Sequence, residues 1–261
     1  METSELMRRR KPRKIKGPAT YFRGPRWQPK DLPDGYPFTL PAVRDLEKLR
    51  FEKPVTFLVG ENGSGKSTIL EAIAIRAGFN AEGGSRNFNF STWNSHSELS
   101  DYIALERGFD RMRDGYFLRA ESFYNVATQI KVLDVEPLGG PPVASWYGNR
   151  GLHEQSHGES FFALFQNRFH GHGLYFMDEP EAALSFRSCL ALMALLDEMR
   201  AEGSQVIVAT HSPLLVALPG AALLELGEWG IRPAAYDDLD VVRSWRAFLD
   251  GPEAYLRHLL G

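Results

Sequence analysis

The stretch "PVTFLVGENGSGKSTILEAIAIRAG", residues 54–78, decides the fold. Residues 54–59 are a short apolar run rich in β-formers and read as a buried strand. Gly60-Glu61-Asn62-Gly63-Ser64-Gly65-Lys66-Ser67 then satisfies G-x-x-x-x-G-K-[ST]. Beyond it, Ile69, Leu70, Ile73 and Ala77 recur on one helical face, and Gly78 supplies a stop. The glycines between strand and helix allow positive φ, so successive backbone N–H groups can turn inward on an anion. A helix beginning near Lys66 adds its N-terminal dipole to that cradle. On this pattern Lys66 reaches the β- and γ-phosphates of a nucleotide, and the Ser67 hydroxyl binds Mg2+. Gly60 to Thr68 form the candidate ATP-contacting set.

The bulk numbers set limits around this loop. The chain has 261 residues, 43% hydrophobic and 24% charged, as expected of a globular protein able to bury a substantial core. Its net charge of -3 gives no global attraction to nucleic acid or an anionic membrane. A single cysteine, Cys189, excludes an intrachain disulfide and a cysteine-rich metal site. The most apolar long stretch, 214–226, is interrupted by Pro219, Gly220 and Glu225, so no membrane span is expected. The basic N-terminus lacks an apolar segment behind it and does not read as a secretory signal, so a cytoplasmic location is the expectation. Residues 8–16, "RRRKPRKIK", hold seven basic residues in nine. Residues 1–16 therefore read as a solvated, disordered tail, with contact to nucleic acid or an acidic partner as the alternative. Residues 17–261 are expected to form one domain.

Further along, a strand is expected near "TYFRG" (20–24) and a helix near "AVRDLEKLR" (42–50). "RNFNFSTW" (86–93) reads as a sheet or core segment rather than a base-stacking platform. "GYFLRAESF" (115–123), "LYFM" (174–177) and "QVIVAT" (205–210) read as strands. "FFALFQNRF" (161–169) and the amphipathic run 185–203 read as helices, 222–236 as a hairpin, and 239–260 as one or two closing helices. Residues 134–151 are loop-like. Strands alternating with helices imply an α/β fold with a largely parallel sheet.

"LHEQSHGES" (152–160) admits two readings. His153-Glu154-Gln155-Ser156-His157 fits H-E-x-x-H, a zinc-protease pattern. By residue frequencies this pattern and the glycine loop each arise in roughly 1% of such chains, so rarity does not choose between them. Context does. A zinc site needs both histidines on one face of a continuous helix. Ser156 and Glu159 form S-x-x-E ahead of Phe161, Phe162, Leu164 and Phe165, a capping box that starts the helix after Ser156. His153 then lies before the helix, and the zinc reading is set aside. A helix start at Ser156 and Gly158 can instead receive a second phosphate contact.

"LYFMDEP" ends an apolar strand in Asp178-Glu179-Pro180. An aspartate at a strand's carboxyl end, beside the phosphate loop in the same sheet, can hold the Mg2+ shell, and the next glutamate can polarise water. The plain alternative is a surface carboxylate pair at a turn. "VIVATHSP" places His211 at the end of a further strand, where an imidazole can donate to a terminal phosphate or to the attacking water. An ordinary structural histidine is the alternative there.

In order, the glycine loop (60–67), "SHGES" (156–160), the acid strand (174–179), "EAALS" (181–185) and "ATHSP" (209–213) resemble an ABC-type ATPase head, a P-loop NTPase. "SHGE" (Ser156, His157, Gly158, Glu159) is similar to that family's signature Ser-Gly-Gly-Gln/Glu, with His157 in place of the first glycine. "EAALS" sits where the family has its D-loop, with Ser185 replacing the usual aspartate. His211 matches the switch histidine. "GENGSGKSTILEAIA", "FLRAESFYN", "HEQSHGESF" and "DEPEAALS" look like a group of small bacterial AAA/ABC-like ATPases related to chromosome-maintenance and DNA-repair ATPase heads. The resemblance covers the chain from about residue 36 onward. It implies ATP and Mg2+ as ligands, an antiparallel β portion beside the parallel sheet, and a head-to-tail homodimer with ATP between Lys66 of one copy and the Ser156 helix of the other. It implies Lys66, Glu179 and His211 as catalytic groups and Ser67 and Asp178 as metal ligands. For the family's Q-loop the nearest candidate is Glu121, whose alternative is an ordinary strand-end carboxylate. No aromatic is singled out for adenine.

Three outputs stay open. A free-standing ATPase switch acts on a protein partner, such as a nuclease, toxin or repair factor, or on nucleic acid. A transporter's ATP-binding subunit needs a membrane domain from another chain. A non-hydrolysing nucleotide-binding module is disfavoured by an intact Lys66, Asp178, Glu179 and His211. About 90 residues separate Lys66 from Ser156 without heptads, so the long coiled coil of a chromosome machine is not expected.

Overall fold

The structure is a computed structural model and describes residues 21–85, 97–108, 112, 114–120, 169 and 171–260. Strand β1 (Phe22–Trp27) leads to a short helix α1 (Pro41–Arg44), strand β2 (Val55–Val59) and helix α2 (Lys66–Ala77). Strands β3 (Gly84–Ser85), β4 (Ile103–Arg107), β5 (Asp114–Arg119) and β6 (Gly173–Asp178) follow. Next come helix α3 (Phe186–Ala201), strands β7 (Gln205–Thr210), β8 (Ala222–Gly227) and β9 (Gly230–Pro233), and helices α4 (Asp240–Asp250) and α5 (Pro252–Leu260).

The main sheet has the order β3-β5-β6-β7-β2-β8-β9. The five inner strands, β5, β6, β7, β2 and β8, are parallel, and the edge strands β3 and β9 pair antiparallel. A separate two-stranded antiparallel sheet joins β1 to β4. This is the expected P-loop NTPase architecture of a largely parallel sheet with an antiparallel portion.

The inner strands are predominantly apolar because both faces of the sheet are covered. Their period of two divides the core. Phe57, Tyr175, Met177, Val206 and Val208 pack with Cys189, Leu192, Leu196 and Met199 of α3. Leu58, Phe176, Ile207 and Ala209 face the other way, onto Ile69, Leu70 and Ile73 of α2 and onto α1 and β1. Helix α3 buries only one stripe, as its spacing predicts. Helix α2 departs from the expected single apolar face: Glu71, Ala72 and Ala74 are buried as well. It is covered on a wide arc, and its buried carboxylate is paired with Arg119.

The helix expected over 42–50 is broken. Helix α1 ends at Arg44, and a 3-10 turn covers Leu46–Lys48. Asp45 sits at the break, its Oδ2 accepting from the Ile231 amide of β9 at 3.2 Å and from Lys48 Nζ at 2.7 Å. Docking on β9 outweighs continuation of a short helix. The strand expected over 115–123 spans Asp114–Arg119. The expected hairpin forms, with Leu226 opposite Ile231 and Gly227 opposite Gly230. Two closing helices follow it. The tail 1–16 and segments 86–93, 121–123, 134–151 and 161–168 lie outside the described residues. Among the described residues no helix is long and apolar enough to cross a membrane.

Candidate functional site

Parallel pairing brings three loops to one edge of the sheet. Val59 is level with Thr210 and Asp178 with Ala209, so Gly60, Glu179 and His211 all follow the carboxyl ends of their strands. The order is β6-β7-β2: the acid strand is one strand removed from the phosphate-loop strand, with β7 between them. Side-chain reach closes the gap. Ser67 Oγ, in the first turn of α2, donates to Asp178 Oδ1 at 2.8 Å.

The loop itself is shaped by close approach. A Cβ on Gly60 would stand 2.3 Å from the Leu226 carbonyl oxygen of β8, so the backbone there admits no side chain. Gly65 caps α2 at φ 95°, in the left-handed region that glycine enters without penalty. Within the loop, Ser64 Oγ is buried and has no hydrogen-bond partner among the described residues. Lys66 is buried, and its Nζ donates to the Glu61 carbonyl at 2.8 Å. Burial pushes its ammonium below the ordinary value, while the carboxylates of Glu179, Asp178, Glu181 and Glu61 pull it back up. A cation, an orphaned hydroxyl and a glycine loop with positive φ at Gly63 and Gly65 suit a polyanion. The hard oxygens of Ser67 and Asp178 suit Mg2+, which keeps most of its shell for phosphate oxygens and water.

Glu179 holds φ 49° and ψ 49°, left-handed backbone that a glutamate seldom adopts. Such a conformation costs about 1–3 kcal/mol and persists where its surroundings enforce it. Here its amide donates to the Ala209 carbonyl at 2.9 Å, holding it against β7. The chain turns abruptly out of β6, into the 3-10 turn Pro180–Ala183. The Glu179 carboxylate, one-third exposed, comes to rest with Oε1 3.6 Å from His211 Nδ1. Glu181, reached by the same turn, accepts from Thr210 Oγ1 at 2.6 Å and from the His211 amide at 3.0 Å.

Several site neighbours carried no local signal. Tyr36, an exposed ring, shares a hydrogen bond of 2.8 Å with Thr68 Oγ1. Arg119, at the end of β5, pairs with Glu71 at 2.6 Å and places its Nε 4.0 Å from Asp178 Oδ2. The register of parallel strands, invisible in local spacing, is what brings Arg119 level with Asp178. A cavity of about 580 Å³ runs beside the loop, between Gly60–Ser64, the β8–β9 turn with Trp229, and Trp245 of α4. Ser156, His157, Gly158 and Glu159, the rejected zinc set His153 and Glu154, and Glu121 lie outside the described residues.

Residues 38–132 match the model of an "AAA domain", and residues 159–217 match an "AAA domain, putative AbiEii toxin, Type IV TA system". The first match contains the phosphate loop, the second the acid strand and His211. A DNA double-strand break repair Rad50 ATPase of Methanocaldococcus jannaschii is 39% identical over 59 residues, covering 23% of this chain and 6% of that protein. The ABC transporter G family member STR2 of Medicago truncatula is 27% identical over 172 residues, covering 61% of this chain and 24% of that one. The chain thus spans a quarter or less of the length of these curated relatives. Among solved structures, the SMC head domain from Thermotoga maritima aligns over 72% of this chain and 92% of its own at 18% identity, with a TM-score of 0.40. Over these two stretches the chain is similar to P-loop ATPase domains of the AAA/ABC type.

Proposed function

We propose that this chain binds Mg-ATP at the loop edge of the sheet and hydrolyses it to ADP and phosphate. It does so in a cytoplasmic homodimer that closes on ATP and acts as a switch for a protein partner or a nucleic-acid process. The observation that carries this reading is the 2.8 Å bond from Ser67 Oγ to Asp178 Oδ1, beside the buried Lys66.

The backbone of Gly60–Ser67 wraps the β- and γ-phosphates, with Thr68 beside them in the first turn of α2. Lys66 exchanges its bond with the Glu61 carbonyl for phosphate oxygens. Ser67 and Asp178 would hold Mg2+, which would supply neutralisation of charge at the phosphate oxygens. Glu179 orients a water and takes its proton as the new bond to the γ-phosphorus forms. The bond from that phosphorus to the β,γ-bridging oxygen breaks, and ADP leaves with the electron pair. His211 donates to the terminal phosphate. The Ser156–Glu159 helix start of the second protomer completes the phosphate contacts, and Glu121 is the candidate Q-loop group near the metal. Residues 17–261 act as one ATPase domain behind the tail 1–16.

Calorimetry with ATP and Mg2+, paired with phosphate release, tests the reading. The wild type is expected to bind and slowly hydrolyse ATP, and Lys66→Ala to do neither. A wild type without affinity for Mg-ATP overturns it; one that binds but never releases phosphate leaves the non-hydrolysing module in its place.

A further inference from the structure

We infer that Glu181 is a positioning residue for this reaction: it ties the end of β7 to the loop after β6 and so sets where His211 stands relative to Glu179. This rests on the ATPase reading above. The Glu181 side chain is only 9% exposed. Its Oε1 accepts two hydrogen bonds from consecutive residues at the end of β7, Thr210 Oγ1 at 2.6 Å and the His211 amide at 3.0 Å. Thr210 Oγ1 accepts in turn from the Ser212 amide at 3.0 Å, so one carboxylate governs a turn of three residues.

The two acidic side chains meet one imidazole. His211 Nδ1 lies 3.6 Å from Glu179 Oε1 and 3.7 Å from Glu181 Oε1. Their roles differ by surroundings. Glu179 is one-third exposed and faces the site, whereas the Glu181 side chain is largely buried and its Oε1 is already bonded to backbone and hydroxyl. The left-handed backbone at Glu179 and the Pro180 turn bring Glu181 back beneath β7. A buried carboxylate is costly to leave without donors, and its donors are equally costly to leave without an acceptor. Each therefore fixes the other. Without Glu181, the Thr210 hydroxyl and the His211 amide lose their acceptor, the turn relaxes, and the imidazole drifts from Glu179. A misplacement of about 1 Å at such a site can cost about a hundredfold in rate.

Glutamine keeps an acceptor at Oε1, so it separates placement from simple loss of a side chain. Steady-state ATPase assays and ATP affinity are measured for Glu181→Ala, Glu181→Gln, His211→Ala and the double variant Glu181→Ala/His211→Ala. Glu181→Ala is expected to lower kcat at least tenfold, with ATP affinity within threefold of wild type. Glu181→Gln is expected to recover kcat to within threefold. In the His211→Ala background, adding Glu181→Ala is expected to cost less than twofold, because a residue that acts through another has nothing left to place. Hydrogen exchange at the His211 amide, without nucleotide, is expected to accelerate in Glu181→Ala and not in Glu181→Gln. Should Glu181→Ala fail to fold, Thr210→Val removes one donor alone and is expected to lower kcat at least threefold with affinity unchanged.

An active wild type with an equally active Glu181→Ala overturns this role alone. So do losses that multiply in the double variant, or a glutamine variant as slow as alanine. A wild type with no ATPase activity overturns the reaction and this role together.

Discussion

Ser67 and Asp178 are 111 positions apart in the chain and 2.8 Å apart in space. Ser67 lies in the helix that follows β2 and Asp178 ends β6, and β7 runs between β2 and β6. The hydroxyl therefore spans the carboxyl end of β7, and the groups that β7 itself delivers, Thr210 and His211, sit directly alongside. A hydroxyl donating to a carboxylate across that edge is the contact on which the proposed metal site rests.

Glu179→Gln is expected to keep ATP affinity within about threefold and to lower turnover by about 10²–10⁴-fold, the range associated with a positioned base. It should also accumulate a closed dimer in ATP, seen as a doubled mass by light scattering. Turnover at the wild-type rate would remove Glu179 from the reaction.

Lys66 should cost the empty protein stability. Burial holds its folded-state pKa below the ordinary 10.5, so the unfolded chain binds that proton more tightly. The cost is present in full below the folded-state pKa and fades as pH rises through it toward 10.5. Lys66→Met is therefore expected to melt at a higher temperature than wild type at pH 7 without nucleotide, with the gap narrowing at pH 10. A lower Tm for the variant at pH 7 contradicts this.

The loop glycines should differ in what they tolerate. A Cβ at Gly60 meets the Leu226 carbonyl, whereas at Gly63 nothing lies within 4 Å and only its φ of 82° opposes a side chain. Gly63→Ala is expected to cost about 1–2 kcal/mol, the left-handed penalty. Gly60→Ala should cost more, because β8 must move off β2. Urea melts of both variants decide the order.

The dimer has its own test. If the loop of one copy meets the Ser156 helix of the other, Lys66→Ala and Gly158→Asp homodimers are both inactive. Mixing them places both defects in one site of the mixed dimer and leaves the other site whole. With free reassortment about a quarter of sites recover. No recovery, with mixed dimers shown to form and wild-type sites acting independently, puts both motifs within one chain.

The phosphate loop and its flanking elements were legible because each is local. The buried β-run, the glycine spacing and the helical apolar recurrence lie within 25 residues. Strands β6 and β7 announced themselves as apolar runs bounded by turn residues, and the β8–β9 hairpin through Gly227 and Gly230. What escaped is what depends on distant partners. The break at Asp45 answers to Ile231, 186 positions away. Arg119 and Tyr36 join the site only through sheet register and the approach of α2. Glu181 was visible as part of a motif, but its grip on β7 depends on the reversed backbone at Glu179, which no spacing encodes.

Strand β2 has a consequence for how the chain comes together. Both of its neighbours come much later in the chain: Val55 pairs with Val206 of β7, and Thr56 with Ala222 of β8. A chain emerging from the ribosome therefore exposes an unpaired, largely apolar strand while its sheet neighbours are still to be synthesised. Long-range pairing of this kind is slow and prone to wrong associations. On the proposed function, nucleotide affinity appears late, when residues 205–227 close on either side of residues 55–59. Until then a nascent chain that already carries Lys66 has no platform on which to hold a phosphate. Chaperone demand and ATP binding should thus succeed one another in the life of each molecule, with the pairing of β2 as the moment of exchange.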